Sequence, residues 1–367
     1  MRVIHLSYAV PKPRFTDPEA WLRRINFSIG VLESMSEHAE ISGIYHIHYK
    51  GVLKKNGVTY HFPGFNRLQL LLPFGFNRFV KKLRPDVIIV HGIIFPWQVV
   101  MLRFTLGSQV KIIAQHHAER PFRDFRQFIQ RWADRYIAAY LFCSVDLAKS
   151  WLDRHQISDP KKIKEIMGTS SPFYPMDKNA AELTTGISGD PVFLWVGGLD
   201  SNKDPITLVK AFIKFSSVHV GAKLFMIYQT EQLLGEVKAL IFDSEAENRI
   251  QLVGKIDNTE LMDWYNSADF IVSSSHYEGS GIAVCEGMSC GCIPILTNIP
   301  SFRMMTGQAR IGLLYEAGNE SDLLRTLQKS LTINQSKEKE KVLKQFRNEL
   351  SFEANARKIM QVINEIV

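Results

Sequence analysis

The sequence predicts an α/β protein of two domains, each a doubly wound parallel sheet with helices on both faces. Three observations carry this. The chain has 367 residues, enough for two full hydrophobic cores. Strand-length apolar runs alternate with longer amphipathic runs along both halves, the pattern of repeated βα units. Between the halves, residues 167–191 (MGTSSPFYPMDKNAAELTTGISGDP) are rich in Gly, Ser, Thr and Pro and show no clean period. The expected organisation is a first domain over 1–170, a linker over 171–190, a second domain over 191–345 and a terminal helix over 346–367.

The elements follow in order. RVIHLSYA reads as the first strand, and Pro11 and Pro13 behind it argue against a secretory leader. Thr16-Asp17-Pro18 is a helix start, a capping residue followed by proline, and EAWLRRINFSIGVLESMSE is the amphipathic helix it opens. ISGIYHIHY and GVTYHFPG look like a strand pair. PDVIIVHG and QVKIIAQHH are buried strands. VIIVHGIIFPWQVVML is interrupted by His91, Gly92, Pro96 and Gln98, so it reads as strand, loop and helix rather than a membrane span. YIAAYLFCS, the helix DLAKSWLDRH and KIKEIMG close the half. The second half restarts with PVFLWVGG, ITLVKAFIKFSS, KLFMIYQ, LLGEVKALIFDS, IQLVGKI and NTELMDWYNSA. KEKEKVLK is a solvated charged helix, and no internal repeat stands out.

Charge is unevenly spread. The net formal charge is +7, yet residues 1–180 hold 26 Lys and Arg against 14 Asp and Glu, and the remainder 18 against 23. A basic first half suggests an anionic partner there, such as anionic lipid or a phosphorylated acceptor. No nucleic-acid motif accompanies the charge, and charge alone does not establish nucleic-acid binding. In residues 119–135, ERPFRDFRQFIQRWADR, five arginines interleave with Phe122, Phe125, Phe128 and Trp132. The plain reading is an amphipathic helix packed on a core. The functional one is a face for an anionic membrane. Cys143, Cys285, Cys290 and Cys292 have no zinc spacing, and a reducing cytoplasm is expected.

The most informative stretch is SSSHYEGSGIAVCEGMSCGCIPILTNIP, residues 273–300. ADFIVSSS before it is a buried strand, IAVCEGMSCG a short helix closed by Gly291, and CIPIL the next strand. Ligands of such a βαβ unit bind at the carboxyl end of the first strand. The N–H groups of Gly281, Ile282 and Ala283 would point there, where a helix amino terminus favours phosphate. Glu278 sits on the loop. Glu286, eight positions on, can reach back to a hydroxyl-rich group, and ribose is the obvious candidate. By themselves two such glutamates are commonly a solvated loop residue and a half-exposed helix residue. VGGLDSNKDPITLVKAF, residues 196–212, is a second strand, glycine loop and helix, with Lys203 in the loop.

The E-x7-E pair inside strand-EGxG-helix-CG-x-P-strand resembles the signature of glycosyltransferase family 4, the large retaining nucleotide-sugar transferases of the GT-B fold. The resemblance implies two Rossmann-like domains facing a cleft, with a last helix crossing back to the N-terminal domain. It implies that Glu278 contacts the donor sugar and Glu286 binds the ribose. Lys203 stands in the lysine position of a G-R-L-x3-K segment that clamps the donor diphosphate. Gly198 stands in the arginine position, a departure that puts the strength of the clamp in question. Val253-Gly254-Lys255-Ile256 resembles the segment that reads the base through the main chain, which brings Gly254 and Ile256 to the donor. His116 aligns with the family's cleft histidine, and His117 and His91, also at strand ends, are expected on the acceptor side.

The implied reaction moves a sugar from a nucleoside diphosphate to an acceptor hydroxyl with retention, without metal or other cofactor, in bacterial surface-polysaccharide or lipid-glycan assembly. The expected partners are that donor, a glycan or lipid-linked acceptor and the inner face of a membrane. A catalytically weak sugar-nucleotide-binding subunit is the alternative. A GT-B epimerase or phosphorylase fits Lys203 and the glutamate pair less well.

Overall fold

A computed structural model gives the fold, and residues 1–10 and 15–367 are described. Pro11 and Pro13 lie outside them. The chain forms two compact units, Met1–Ser170 with Phe352–Val367, and Ser171–Ser351.

The first unit is built on an eight-stranded sheet: β1 (Arg2–Leu6), β2 (Glu40–Ile44), β3 (Gly51–Lys55), β4 (Val58–Phe62), β5 (Val87–His91), β6 (Lys111–Gln115), β7 (Ile137–Phe142) and β8 (Ile163–Glu165). Their order is β3-β4-β2-β1-β5-β6-β7-β8, and only β3 runs antiparallel to its neighbour. The helices are α1 (Pro18–Arg24), α2 (Asn26–Met35), α3 (Arg67–Leu71), α4 (Phe74–Lys82), α5 (Pro96–Leu106), α6 (Arg126–Asp134) and α7 (Val145–Asp153). β5 is buried on both faces and reads VIIV before His91, as a central parallel strand should.

One sequence expectation changes here, and one holds with a further strand beside it. The first helix is two: Asp17 caps α1 and Pro18 is its first residue, but the helix breaks at Ile25, which has φ −105° and ψ 24°. The expected strand pair is β2 beside β4 in parallel, and it is β3 that pairs antiparallel with β4. Asn56 and Gly57 join β3 to β4 with φ of 46° and 77°. That two-residue turn, left-handed at both positions, suits the twist of a hairpin.

The second unit carries α8 (Lys178–Thr185), β9 (Val192–Gly197), α9 (Pro205–Val218), β10 (Lys223–Tyr228), α10 (Leu234–Asp243), β11 (Ile250–Gly254), α11 (Leu261–Ser267), β12 (Phe270–Ser273), α12 (Ile282–Cys290), β13 (Ile293–Thr297), α13 (Pro300–Met305), β14 (Leu313–Tyr315), α14 (Glu320–Ser330) and α15 (Gln335–Gln345). Its six strands are all parallel, in the order β11-β10-β9-β12-β13-β14. One face of the sheet is closed by Phe193, Phe212, Phe215 and Leu208, the other by Leu194, Ile227, Tyr265 and Ile271. The segment read as linker holds α8, capped by Asp177 and ended by Gly186 in a left-handed conformation. α8 packs on α11, and Lys178 pairs with Asp269.

The chain then returns to the first unit. α16 (Phe352–Ile366) lays Ile359, Met360, Val362 and Ile363 into the core that α2 lines with Val31, Leu32 and Met35. This amphipathic helix replaces water on one side of the first sheet, so the first unit is assembled from both ends of the sequence.

Candidate functional site

In the second unit the strand order reverses between β9 and β12. β9 leads through α9 to β10 on one side, and β12 leads through α12 to β13 on the other. In an open α/β sheet the crevice at such a reversal, beyond the carboxyl ends of the strands, is where ligands bind. The loop after β9 carries Lys203, and the loop after β12 carries Glu278.

These loops are tied to each other. Asp200 Oδ1 accepts from the N–H groups of Asn202 and Lys203, both at 3.0 Å. The Asn202 side chain donates to the Tyr277 carbonyl at 3.0 Å, and His276 N–H to the Asn202 carbonyl at 2.8 Å. Ser274 Oγ donates to the Lys203 carbonyl at 2.7 Å. From below, Thr297 Oγ1 donates to the Ser275 carbonyl at 2.6 Å and the Tyr315 hydroxyl to the Ser273 carbonyl at 3.1 Å. These bonds fix the carbonyls and amides of the two loops, and the Tyr315 bond anchors the end of β12.

The ammonium of Lys203 pairs directly with Glu278 Oε1, which also accepts from Ser275 Oγ at 2.8 Å. The lysine side chain is 30% exposed and that of Glu278 13%. The site therefore holds a cation and an anion in contact, close enough to solvent for an incoming anion to compete for the lysine.

α12 begins beside Glu278. Gly281 is its N-cap, left-handed at φ 60°, with no side-chain hydrogen bond to the first turn. A Cβ there would lie 2.6 Å from the Phe302 ring, so both conformation and space demand glycine. The first-turn amides, including those of Ile282 and Ala283, keep the partial positive charge of a helix amino terminus. One turn on, Glu286 is 7% exposed and accepts from the Tyr265 hydroxyl at 2.9 Å. Burial pushes its carboxyl up to about 7, against the Tyr265 hydrogen bond, which pulls it down. A carboxylate held this dry gains strongly from hydroxyl groups donated to it.

Gly198 follows β9 directly. A side chain there would meet Thr230 Oγ1 at 2.4 Å and Asp200 Oδ2 at 2.8 Å, so both would have to shift to admit one. At the sheet edge, Gly254 ends β11 and Ile256 packs half-buried against the core under it. Among the described residues no cluster of three or more His, Cys, Asp or Glu has the arrangement of a metal site. No disulfide joins the four cysteines, and all four are buried.

The histidines of the first unit separate. The His116 side chain is wholly buried, stacked on Phe142 at 4.5 Å between ring centroids, with Nε2 at 2.8 Å from the Glu119 carbonyl. His117 is exposed, and its Nε2 lies 3.2 Å from His91 Nδ1. Sequence reasoning favoured His116 as the functional one of the pair. The structure buries the His116 ring against Phe142 and leaves its Nδ1 without a hydrogen-bond partner among the described residues. His91 in turn contacts His5, a residue that sequence reasoning passed over. The available signal was a histidine inside the apolar run RVIHL.

Residues 180–348 match the family model described as "Glycosyl transferases group 1". Among curated proteins, D-inositol 3-phosphate glycosyltransferase 2 of Catenulispora acidiphila is 25% identical over 201 residues, covering 52% of this chain and 46% of that protein. GDP-mannose:cellobiosyl-diphosphopolyprenol alpha-mannosyltransferase of Xanthomonas oryzae pv. oryzae is 32% identical over 79 residues, 22% of this chain and 21% of that one. The chain thus spans less than half the length of these curated relatives. Among solved structures, a glycosyltransferase from Rickettsia africae superposes with a TM-score of 0.74 at 18% identity, over 100% of this chain and 98% of that one. The Anabaena HepE protein in complex with UDP gives 0.73 at 13% identity, over 100% of both. The fold is GT-B, and residues 180–348, the second unit without its first nine and last three residues, resemble the glycosyl transferases of group 1.

Proposed function

We propose that the protein transfers a sugar from a nucleoside-diphosphate sugar to an acceptor hydroxyl, with retention at the anomeric carbon, and that the second unit binds the donor. The observation that carries this is the contact of Lys203 with Glu278 across the β9–β12 switch point, beside the uncapped amino terminus of α12. In this reading the diphosphate takes Lys203 and the α12 amides, which stabilise the charge that develops on the leaving group and supply that role without a metal. Glu278, released from the lysine, faces the sugar. Glu286 accepts the ribose hydroxyls. Gly254 and Ile256 border the base.

A thermal-shift screen against nucleoside-diphosphate sugars tests this. UDP-sugars and GDP-mannose head the panel, because HepE was solved with UDP and the Xanthomonas relative's name carries GDP-mannose. A donor at a hundred times its dissociation constant should stabilise by about 2.7 kcal/mol. A panel with no stabilising member sinks the reading. Binding without transfer or hydrolysis would support the alternative, a sugar-nucleotide-binding partner subunit.

Gly198→Arg discriminates two accounts of the missing arginine. The new side chain must displace both Thr230 and Asp200, and Asp200 organises the Lys203 loop. The variant should therefore lose thermal stability and bind donor more weakly. Tighter binding, measured by calorimetry, would show that the clamp merely lacks a cation.

The first unit carries the proposed membrane contact. On α6, Phe128 is 63% and Trp132 38% exposed, and Phe125 just before it is 70% exposed. The neighbouring α5 exposes Phe104, and α3–α4 expose Leu68, Leu71 and Phe74. Arg123, Arg126 and Arg131 are exposed beside these aromatics, and Arg131 lies over the Phe128 ring. This segment is thus shorter as a helix than its sequence pattern predicts; Phe122 is buried against Trp151, and Phe125, Phe128 and Trp132 turn outward. Replacing the three arginines by Gln should weaken sedimentation with anionic vesicles severalfold, since each contributes about 1 kcal/mol at most near such a surface. Unchanged sedimentation, or none by the wild type at low salt, rules the contact out. Among the described residues no helix is long and apolar enough to cross a membrane.

A further inference from the structure

A carboxylate joins the turns that end β5 and β6. The ladder between these strands closes where the Gly92 N–H donates to the Gln115 carbonyl at 2.8 Å. Just beyond it, Glu119 takes over. Its Oε2 accepts from the His117 N–H at 2.5 Å, and the N–H groups of Ile93 and of Glu119 itself also donate to the carboxylate. Ile93 belongs to the turn after β5 and His117 to the turn after β6. One side chain therefore satisfies main-chain donors of both turns. The fit is close. A Cβ on Gly92, which is left-handed at φ 100°, would lie 3.0 Å from Glu119 Oε1.

Glu119 is held in turn by its neighbours. His116 Nε2 lies 2.8 Å from the Glu119 carbonyl, and since a carbonyl only accepts, that nitrogen carries the proton. The Glu119 side chain is 12% exposed. Burial raises its carboxyl above the ordinary value, and the amides of His117, Glu119 and Ile93 pull it back down. Between His117 and Glu119, Ala118 is left-handed at φ 74°. Alanine takes that backbone at a cost, and it persists only where the surroundings impose it. Here the carboxylate binds amides on both sides of Ala118.

The imposed turn places an imidazole. The His91 and His117 rings stack with centroids 5.3 Å apart and planes at 18°, and His91 Nδ1 is 3.2 Å from His117 Nε2. His5 extends the row behind them, its Nδ1 3.1 Å from His91 Nε2. His5 and His91 stand on β1 and β5. His117 lies beyond β6, so its place depends on the turn, and the turn depends on Glu119.

We propose that Glu119 is a positioning residue: by joining the main chain of the two turns, its carboxylate sets the exposed His117 against His91. That this geometry serves the reaction rests on the glycosyl-transfer reading. The positioning itself does not.

The test uses the full chain. Glu119→Gln puts amide hydrogens where an oxygen accepted, so it cannot satisfy both turns. Without nucleotide, this variant should shift the imidazole ¹⁵N signals of His117 and His91. The signals of His46, which bonds the Ser7 carbonyl instead, should stay in place. Should the Gln variant not fold, Glu119→Asp, one methylene too short to span both turns, should do the same. Ala118→Gly suits the left-handed backbone and leaves the carboxylate alone, so it should keep the wild-type signals. Turnover is then followed as nucleoside diphosphate released from the nucleoside-diphosphate sugar that thermal shift identifies. Glu119→Gln should slow it by about tenfold to a hundredfold, the scale of a misplaced group, with donor affinity unchanged. Adding Glu119→Gln to His117→Gln should slow it little further. Wild-type His117 signals in both Glu119 variants overturn the proposal. So does a shift in Ala118→Gly as large as theirs, which would make the turn itself the cause. Wild-type turnover with a lowered melting temperature would make Glu119 a brace only, and additive losses would show that it does not act through His117. If wild type turns over no nucleotide sugar, the transferase reading falls, and the imidazole signals still decide whether Glu119 places His117.

Discussion

Lys203→Ala should lower turnover about a hundredfold or more, and donor affinity with it. Loss of one group that stabilises charge at a reacting centre costs about 2.7–4 kcal/mol. Here a second effect adds. Glu278 is paired with Lys203 and its side chain is only 13% exposed, so the substitution leaves a screened carboxylate without its cation at a site meant for a diphosphate. That carboxylate would repel the donor. The double variant Lys203→Ala with Glu278→Ala should therefore regain part of the lost donor affinity while remaining slow. Steady-state transfer and calorimetric donor binding on the two single variants and the double form a cycle. Strictly additive losses would show that the two residues act apart, against their contact.

Glu286→Gln should have opposite effects on the free and liganded protein. A carboxyl raised from 4.5 to about 7 by burial binds its proton more tightly folded than unfolded. Ionising it therefore costs the fold stability, increasingly as pH rises from 4.5 to about 7 and constantly above. The cost is about 3 kcal/mol. Gln keeps an acceptor for the Tyr265 hydroxyl and removes the charge, so the unliganded variant should melt higher than wild type at pH 8 and about equally near pH 4.5. Donor binding should be at least tenfold weaker, since hydrogen bonds to a charged group contribute about 1.5–3 kcal/mol each. In the wild type, donor affinity should fall as pH drops below about 7, where the carboxyl takes its proton. A residue that only braced the fold would lose stability on substitution. Thermal melts at both pH values, with calorimetry, separate the two.

The site of the second unit was largely legible because it is local. Strand, glycine, helix and strand follow within thirty residues, and the βαβ rule fixes which end carries the ligand. What the sequence could not show was that Lys203 and Glu278, 75 residues apart, touch. That depends on β9 and β12 being neighbours in the sheet. The histidine row was illegible for the same reason: His5 and His91 meet because β1 lies beside β5. Other misses had local signals. Asn56-Gly57 marks the β3–β4 hairpin, and Asp177 with Gly186 brackets α8 inside a segment whose composition suggested a linker. His116 and His117 show the limit of reading one strand end. Adjacent side chains leave a strand on opposite sides, and only packing decides which one reaches a ligand.

Hydrogen–deuterium exchange with a nucleoside-diphosphate sugar tests the central claim most directly. Two segments should gain protection when the donor identified by thermal shift is added: residues 198–204, and residues 274–284 across the start of α12. The two segments border the proposed diphosphate site, and ligand binding suppresses the local opening that exchange requires. Lys203→Ala should diminish protection in both. Protection confined to other loops of the second unit, with these two segments exchanging as in the free protein, would contradict the account.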